Sequence, residues 1–579
     1  MESTPLRTSA SSAVNSRLPP RFSIGLIAVA AAGFVAPAWQ RSLWNPDEPR
    51  VAHIGQSMAL EGGDWLVPRV NGAPNVQEPP LYHWLTAACF RVFGTRPGLD
   101  WVPRLPAILF SVATLALVAR ETARWGGGRA GVLAALVLAT TVEYLEIANR
   151  AGVDGALAFF VLWGGGSSLR IAAEPAPSTV HFLALGAAAA FAFLTKNLLG
   201  PAFLALMMGA ALLGRRDLLR SPGLWVKLAA GAAGFLALTG PWIVLLWRRD
   251  PELARSLMEH TFGRFMADGM KNPGRLEFCG RVLADGLPWT PLLLVALWTA
   301  GMRFWHPAPS EIADERRLLR ALIAWILLPA LFIFASGSRR NLYLLSIWPG
   351  AAILLGLQLD RWLDRPAMHR AAAAATVLVS APLPLAAAVG GFWVQPMPHF
   401  VFVSLAVQLF YLHLWLRRRG WRSAEDSLLT AAVLLGLAMA AGNLMRLTAL
   451  DARESYATLG EDLRLLGREG FEVAGFDLDL RELGAVAYHL ETRSIRHLRD
   501  AGDAAELLNA AGPPIALVVR GRSLPEDGPA PLREPSGRIA RIIGGREIVV
   551  LLNRPVPAGV PAVNTGPSLE PPRGQDRPR

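Results

Sequence analysis

Carboxylates that could act as catalytic bases stand beside apolar runs at two places in the chain. Asp47 and Glu48 lie in Trp44-Asn-Pro-Asp-Glu-Pro-Arg50, just after the first apolar run. Asp154 stands at the start of a later run. A carboxylate can accept the proton of an acceptor hydroxyl, and such general-base catalysis typically contributes about 10²–10⁴-fold in rate. We therefore take Asp47, Glu48 and Asp154 as the candidate catalytic residues.

Cations beside these carboxylates suit the binding of an anion. Lys196 and the pair Arg339-Arg340 lie in very short loops between apolar runs. Arginine suits bidentate phosphate contact, whereas lysine acts as a point charge. Anchoring to anionic lipid is the alternative role for such cations at headgroup level. The candidate binding residues for a donor phosphate or an acceptor are Arg50, Glu78, Lys196, His260, Arg264, Arg339 and Arg340.

The two aspartates also have a purely structural interpretation. Aspartate is a favoured N-cap, and Pro49 suits the first turn of a helix that begins after Asp47. Asp154 likewise precedes a long apolar run that is typical of a helix. Capping and catalysis do not exclude each other, so both interpretations stay open for each residue.

The composition predicts an all-α polytopic membrane protein that positions these residues. Of 579 residues, 52% are hydrophobic and 18% charged, against about 25% charged in an average globular chain. Two cysteines exclude a disulfide framework and a CxxC zinc site. Because about 20 apolar residues cross a bilayer as a helix, we predict about thirteen spans. They are placed at 22–40, 105–119, 130–147, 155–171, 180–195, 198–213, 228–247, 288–304, 321–336, 342–358, 371–393, 399–416 and 427–447.

The distribution of Lys and Arg predicts the orientation. With a cytoplasmic N-terminus, the cytoplasmic loops hold most of the basic residues, as the positive-inside rule requires. The short outer loops hold four, namely Arg150, Lys196, Arg339 and Arg340. This asymmetry accounts for much of the net charge of +12 without nucleic acid. An odd number of spans then places the C-terminal region on the outer face.

Composition shifts define the domains. We predict a cytoplasmic tail over 1–21 and a membrane domain over 22–447 with large outer loops at 41–104 and 248–287. The first apolar run is not expected to be a cleaved signal peptide. Two amphipathic helices are expected to lie at the membrane surface in the first loop, one beginning near Asp47 and one over 81–93, with Arg50, His53 and His83 at headgroup level. A small α/β domain is expected over 448–555, with strands at 471–476, 514–519 and 546–552 and a turn at Gly544-Gly545. A Pro/Gly-rich disordered tail would follow over 556–579.

Carboxylates beside cations at one membrane face suit one reaction class, the transfer of a group from a lipid-linked phosphate donor to an acceptor hydroxyl or phosphate. Phosphate is a good leaving group, and cations stabilise the charge that develops on it. Displacement assisted by a single carboxylate base would invert the anomeric centre. The alternative is a transporter or flippase of a lipid-linked sugar, which should place ionisable residues near the bilayer midplane within structural repeats. A C-terminal binding module on a membrane anchor is a third, weaker interpretation.

Several short motifs follow one another along the first part of the chain. They are Asp47-Glu-x-Arg50, Gly63-Asp-Trp-Leu-Val-Pro-Arg69, Asn71-Gly, Pro79-Pro-Leu-Tyr-His-Trp84, Phe93-Gly, Arg150-Ala-Gly-Val-Asp154, Phe193-Leu-Thr-Lys196, Glu259-His-Thr-Phe-Gly-Arg264 and Ser336-Gly-Ser-Arg-Arg340. These segments resemble bacterial glycosyltransferase family 39 and the aminoarabinose (ArnT) transferases, GT-C enzymes related to protein O-mannosyltransferases. The resemblance implies a transferase of the bacterial inner membrane with a periplasmic site and a polyprenyl-phosphate sugar donor, with Asp47 as catalytic base and Asp154 at the second acidic position. For the aminoarabinose enzymes it implies lipid A as acceptor.

The chain departs from the family pattern at a few positions. Val51 stands where the family often has Tyr, Asn341 where a second Lys is expected, and Gln77-Glu78-Pro79 where it usually reads Glu-Lys-Pro. The last change reverses a charge beside the donor site and removes an acid that would pair with His260 on a metal. No cofactor and no metal site are therefore predicted, with a divalent metal as the alternative, and the donor sugar stays open.

Overall fold

The fold is described from a computed structural model. The described residues are 38–39, 41–44, 47–75, 77–96, 98–266, 273–305, 313–363, 450–451, 453–524 and 529–560. The expected spans at 371–393, 399–416 and 427–447, nearly all of the span at 22–40, the tail at 1–21 and most of the tail at 556–579 lie outside these residues.

The described residues of the membrane part form mainly helices, as the apolar runs predict. A two-stranded hairpin joins the first two helices. The helices are α1 (Glu48–Ala59), α2 (Leu81–Phe93), α3 (Leu105–Gly126), α4 (Gly128–Ala139), α5 (Val142–Ile147), α6 (Val153–Ala173), α7 (Thr179–Lys196), α8 (Leu199–Leu213), α9 (Arg216–Leu219), α10 (Pro222–Arg249), α11 (Pro251–Met266), α12 (Arg275–Asp285), α13 (Thr290–Trp305), α14 (Ala313–Ala335) and α15 (Trp348–Leu363), with 3-10 turns at Val102–Arg104 and Asn341–Ile347.

Within the described residues, six helical segments are long and apolar enough to cross a membrane. A seventh results if α12 and α13, bent by 100°, form one span. The expected span at 130–147 is broken between α4 and α5, where the hydroxyls of Thr140 and Thr141 donate to the carbonyls of Leu136 and Val137. The described part of the chain therefore supports the polytopic class, whereas the count of thirteen spans stays a prediction.

Helix α6 lies at the centre of the bundle and contacts α3, α7, α8 and α14. Three successive glycines let its neighbours approach. A Cβ atom built at Gly164 would lie 2.6 Å from Leu204, and one built at Gly165 would lie 2.5 Å from Trp325. Small residues allow such close packing between membrane helices, where dispersion rather than the hydrophobic effect holds helices together.

Helices α7 and α10 approach each other even more closely, at Gly186 and Gly231. A Cβ built at Gly231 would lie 2.6 Å from the Phe182 carbonyl oxygen, and one built at Gly186 only 2.0 Å from the Gly231 oxygen. Gly231→Val should therefore force the two backbones apart and lower the stability by about 1–3 kcal/mol or more. Thermal unfolding in detergent checks this against Gly234→Val on the same helix, where a built Cβ has only Leu183 nearby, at 3.9 Å. Equal melting temperatures for the two variants would contradict the prediction.

The first loop is folded rather than spread over a surface. Helices α1 and α2 form as predicted, and Asn71-Gly72 is the expected turn, with φ of 51° and 78°. It joins strands β1 (Arg69–Val70) and β2 (Ala73–Pro74). The expected surface position of α1 is wrong, because all twelve of its residues are buried. The side of α1 that faces away from the membrane helices is covered by a helix of the C-terminal domain, Leu480–His489.

His53 and His83 are buried as well, and neither side chain is exposed. They therefore face the protein interior and not the lipid headgroups. Burial lowers the pKa of His53 to about 4. The neutral ring accepts a hydrogen bond from the backbone of Asn71 at Nε2, over 3.1 Å. It therefore fixes the hairpin against α1.

The C-terminal domain combines helices with a five-stranded sheet. Its elements are α16 (Ala457–Arg468), β3 (Glu472–Phe476), α17 (Leu480–His489), β4 (Arg496–Leu498), α18 (Ala501–Asn509), β5 (Ile515–Arg520), α19 (Ala530–Arg533), β6 (Gly537–Ile543) and β7 (Arg546–Leu552). The strand order is β4-β3-β5-β7-β6. Strand β3 is parallel to β4 and β5, and β7 is antiparallel to β5 and β6. Apolar clusters pack α16 and α17 on one face of the sheet and α18 on the other, so the domain is an α/β sandwich.

The three expected strands and the glycine turn of this domain are confirmed. Gly544 and Gly545 have φ of 59° and 74° and connect β6 to β7. Strands β4 and β6 were not expected. The first has only three residues, and two arginines, exposed Arg538 and buried Arg541, interrupt the apolar pattern of the second.

Candidate active site

The adjacent acids Asp47 and Glu48 point into different environments. Asp47 occupies the N-cap position of α1, but its side chain makes no capping hydrogen bond. It remains 46% exposed and lies 3.6 Å from Arg50 and 3.5 Å from Arg481, between carboxylate oxygen and guanidinium nitrogen. Capping therefore does not account for this side chain, and the carboxylate is accessible to a substrate.

Glu48 is buried and held by four groups. Arg41 and Arg104 each donate two hydrogen bonds to its carboxylate, over 2.5–3.0 Å. The backbone nitrogens of Trp44 and Ala151 donate two more, at 3.1 and 2.8 Å. Burial alone would raise the pKa of Glu48, but Arg104 and Arg41 hold it well below its usual range. The Glu48 carboxylate thus has no free position to accept a further proton donor, and its geometry favours a structural role over the catalytic role expected for it.

Arg50 and Glu78 form a buried ion pair beside Asp47. Two nitrogens of Arg50 each donate to one oxygen of Glu78, both over 3.0 Å. His83 Nε2 lies 3.7 Å from Glu78 on the other side. Although burial opposes ionisation, Arg50 and His83 hold the pKa of Glu78 well below its usual range. The pair is thus charged, and Arg50 is positioned by Glu78 as well as by Asp47.

Asp154 pairs with Lys196 rather than capping a helix. The N-cap of α6 is Gly152, and Asp154 lies in the first turn. Its carboxylate accepts a short hydrogen bond from the Nζ of Lys196, which ends α7. The same Nζ lies 4.7 Å from the centre of the Tyr343 ring, a cation–π contact. Lys196 is therefore a fixed cation, held by a carboxylate and an aromatic face.

The two ion pairs belong to one region of the molecule. The side-chain amide of Asn197, next to Lys196, donates to the Gln77 carbonyl over 3.0 Å, and Gln77 precedes Glu78. The backbone nitrogen of Ala151, three residues before Asp154, donates to Glu48, the neighbour of Asp47, over 2.8 Å. The structure therefore brings together five of the residues expected at the site, namely Asp47, Arg50, Glu78, Asp154 and Lys196.

The structure describes fewer contacts for the other candidate binding residues. Arg339 donates to the carbonyls of Ser336 and Pro273, at 3.3 and 3.4 Å. The Arg340 carbonyl accepts from the backbone of Tyr343, so this segment leads directly to the ring beside Lys196. His260 and Arg264 lie on α11, and their side chains are outside the described residues.

Three contributors to this region were not expected from the sequence. Arg104 binds Glu48, Tyr343 faces Lys196, and Arg481 of the C-terminal domain contacts Asp47. Each comes from a distant part of the chain with no motif to mark it. The one local signal was Asp479-x-x-Glu482, a capping box that predicts the start of the helix carrying Arg481.

Parts of the chain are similar in sequence to known proteins. The family model described as "Dolichyl-phosphate-mannose-protein mannosyltransferase" matches residues 77–244. Undecaprenyl phosphate-alpha-4-amino-4-deoxy-L-arabinose arabinosyl transferase 1 of Sodalis glossinidius is 29% identical over 341 residues, 57% of this chain and 58% of the relative. Transferase 2 of Pseudomonas fluorescens is 29% identical over 58% of this chain and 56% of that protein. The chain thus matches little more than half the length of these relatives.

The fold is similar to that of ArnT from Cupriavidus metallidurans. The crystal structure bound to undecaprenyl phosphate has a TM-score of 0.73 and 21% identity, covering 92% of this chain and 98% of that one. The apo structure has the same TM-score and 22% identity. These likenesses confirm the resemblance to the aminoarabinose transferases that the sequence motifs indicate.

Proposed function

From this likeness we propose that the protein is an integral membrane glycosyltransferase. It would move a sugar from a polyprenyl-phosphate donor to a cell-envelope acceptor of the lipid A or lipopolysaccharide type. The observation that carries the proposal is the accessible carboxylate of Asp47 beside the Arg50–Glu78 and Lys196–Asp154 pairs. The curated relatives are named as arabinosyl transferases that use undecaprenyl phosphate derivatives, which supports this donor class.

In the proposed reaction Asp47 is the general base. It accepts the proton of the acceptor hydroxyl, whose oxygen attacks the anomeric carbon from the face opposite the donor phosphate. The bond between that carbon and the phosphate oxygen breaks, the phosphate leaves with the electron pair, and the anomeric configuration inverts. Cations fixed before the reaction stabilise the charge on the leaving group at little reorganisation cost.

Lys196 is the cation best placed to receive the donor phosphate. Its ammonium is fixed by Asp154 and Tyr343 where the outer ends of two membrane helices meet. Arg339 and Arg340 shortly precede Tyr343 in the chain, and the Arg340 carbonyl is hydrogen-bonded to the Tyr343 backbone. We propose them, with His260 and Arg264, as further contacts to the donor or acceptor. Arg50 would act from the other side, next to Asp47.

Lys196→Ala is expected to weaken binding of polyprenyl phosphate by about tenfold or more, because a charge-assisted contact is lost. The affinity can be measured on purified protein by competition with a fluorescent lipid phosphate. Asp154→Asn is the matched control, since it breaks the same ion pair but keeps the cation. An equal loss of affinity in both variants would mean that the pair matters only for local structure.

We propose that the site faces the periplasm in the bacterial inner membrane, with a cytoplasmic N-terminus. The bias of Lys and Arg toward the opposite loops supports this orientation. The contact between Arg481 and Asp47 supports a C-terminal domain on the same face as the site. The transporter alternative gains no support here, since the candidate residues gather at helix ends rather than along a midplane path.

The direct test is transfer by the purified protein. It is incubated with polyprenyl-phosphate aminoarabinose and lipid A, and the lipid A product is read by mass spectrometry. A mass increase of one aminoarabinose would establish both the class and the donor. If only polyprenyl-phosphate hexoses give a product, the class holds and the sugar differs. The absence of transfer from every polyprenyl-phosphate donor to lipid A or other envelope acceptors would contradict the proposal.

A further inference from the structure

Asp47 is contacted by cations from two separate domains. Arg50 comes from its own helix, whereas Arg481 comes from the C-terminal domain and places Nε 3.5 Å from the Asp47 carboxylate. The Arg481 side chain is 34% exposed, so the pair lies at the rim of the site rather than in the core. A domain that only anchored or solubilised the protein would have no need to reach this carboxylate.

The backbone that carries Arg481 is rigidly held. The Asp479 carboxylate accepts from the backbone nitrogens of Arg481 and Glu482, at 2.9 and 3.0 Å, and the Glu482 carboxylate accepts from the Asp479 nitrogen. Arg520 on strand β5 then bridges Asp479 and Glu482, at 2.9 and 2.6 Å. Arg481 therefore extends from a fixed first helical turn, which lowers the entropy cost of holding its side chain on Asp47.

Helix α17 is seated directly on α1, at the turn that carries the site. A Cβ built at Gly484 would lie 3.0 Å from the Arg50 Cα atom, so a larger residue here would press on the backbone of α1. Gln56 donates to the Tyr488 carbonyl over 3.2 Å, and Asn71 exchanges two hydrogen bonds with the backbone of Ile495. The domain is thus docked in a defined register on the helix that begins at Asp47.

We propose that Arg481 is a positioning residue of the active site, through which the C-terminal domain holds the Asp47 carboxylate in its reactive orientation. This inference rests on the proposed role of Asp47 as general base. Small displacements of a catalytic group are costly, since an error of about 1 Å can lower a rate about a hundredfold. The C-terminal domain then completes the site instead of merely standing beside it.

The first test separates positioning from docking. Arg481→Ala should lower kcat about tenfold to a hundredfold while KM for the donor stays within about twofold, because only the base is displaced. Arg481→Lys, which keeps a cation, should recover most of the lost kcat. The control is Arg493→Ala, which removes a domain contact to the Gly62 carbonyl, 2.7 Å long, away from the site carboxylates. Unchanged kcat in Arg481→Ala, or an equal loss in Arg493→Ala, would overturn the proposal.

A second test needs no turnover. Melting temperatures are measured for Asp47→Asn, Arg481→Gln and the double variant. If the two side chains interact, the double variant loses less than the sum of the single losses. Strictly additive losses would overturn the contact on which the proposal depends. The two tests also separate the hypotheses, because a wild-type protein without transferase activity contradicts the proposed function, whereas the thermal cycle still decides the contact.

Discussion

Asp47→Asn is expected to abolish sugar transfer while the protein still inserts and binds its donor. The amide has nearly the same size as the carboxylate but cannot accept the acceptor proton, so kcat should fall by about 10²–10⁴-fold. Folding should be little affected, since the side chain is half exposed and its contacts to Arg50 and Arg481 are 3.5–3.6 Å long. Exposed ion pairs of this kind contribute about 0–1 kcal/mol.

The measurement is turnover of purified protein, alongside the melting temperature and the affinity for polyprenyl phosphate. Glu61→Gln is the matched control, because Glu61 is an exposed acid just beyond the end of the same helix. It removes the same charge from the same loop and should leave kcat unchanged. Near-normal turnover by Asp47→Asn would exclude Asp47 as the base and direct attention to Asp154.

The sequence predicts the elements of this protein better than their surroundings. Apolar runs indicate most of the described helices of the membrane part correctly, because length and hydropathy are local properties. The complete burial of α1 was not predictable in this way. The polar side of α1 is covered by α17, a helix distant in sequence, whose Gly484 packs against Arg50. An amphipathic pattern shows which face is apolar, but it cannot show what covers the other face.

In the candidate site, too, the sequence predicts which residues matter but not which partners they contact. The types and spacing of Asp47, Asp154 and Lys196 were sufficient to nominate them, and the last two indeed form a pair. The roles of Asp47 and Glu48 could not be separated, since the residues are adjacent and chemically alike. Their difference arises from Arg104 and Arg481, which reach them from other segments of the chain. Such contacts depend on the tertiary fold and leave no periodicity in the sequence.

Glu48→Gln is expected to destabilise the protein strongly. The amide can no longer balance two buried guanidinium groups, since neither Arg41 nor Arg104 is more than 4% exposed. Breaking a buried ion pair by removing one partner typically costs about 3–5 kcal/mol. The loss should appear as a marked fall in the melting temperature and in the yield of folded protein. Asp47→Asn, one residue earlier, should change the melting temperature little.

The pH dependence of unfolding gives an independent check on Glu48. Its pKa is lowered in the folded protein by Arg104 and Arg41, so its contribution to stability is present above the ordinary value of 4.5. The contribution is lost as the pH falls below that value toward the lower folded pKa, because the unfolded chain then binds the proton more readily. Wild-type protein should therefore lose more stability than Glu48→Gln between neutral and acidic pH. Parallel stability curves for the two proteins would contradict the view that this carboxylate, unlike its neighbour, holds the first loop to the bundle.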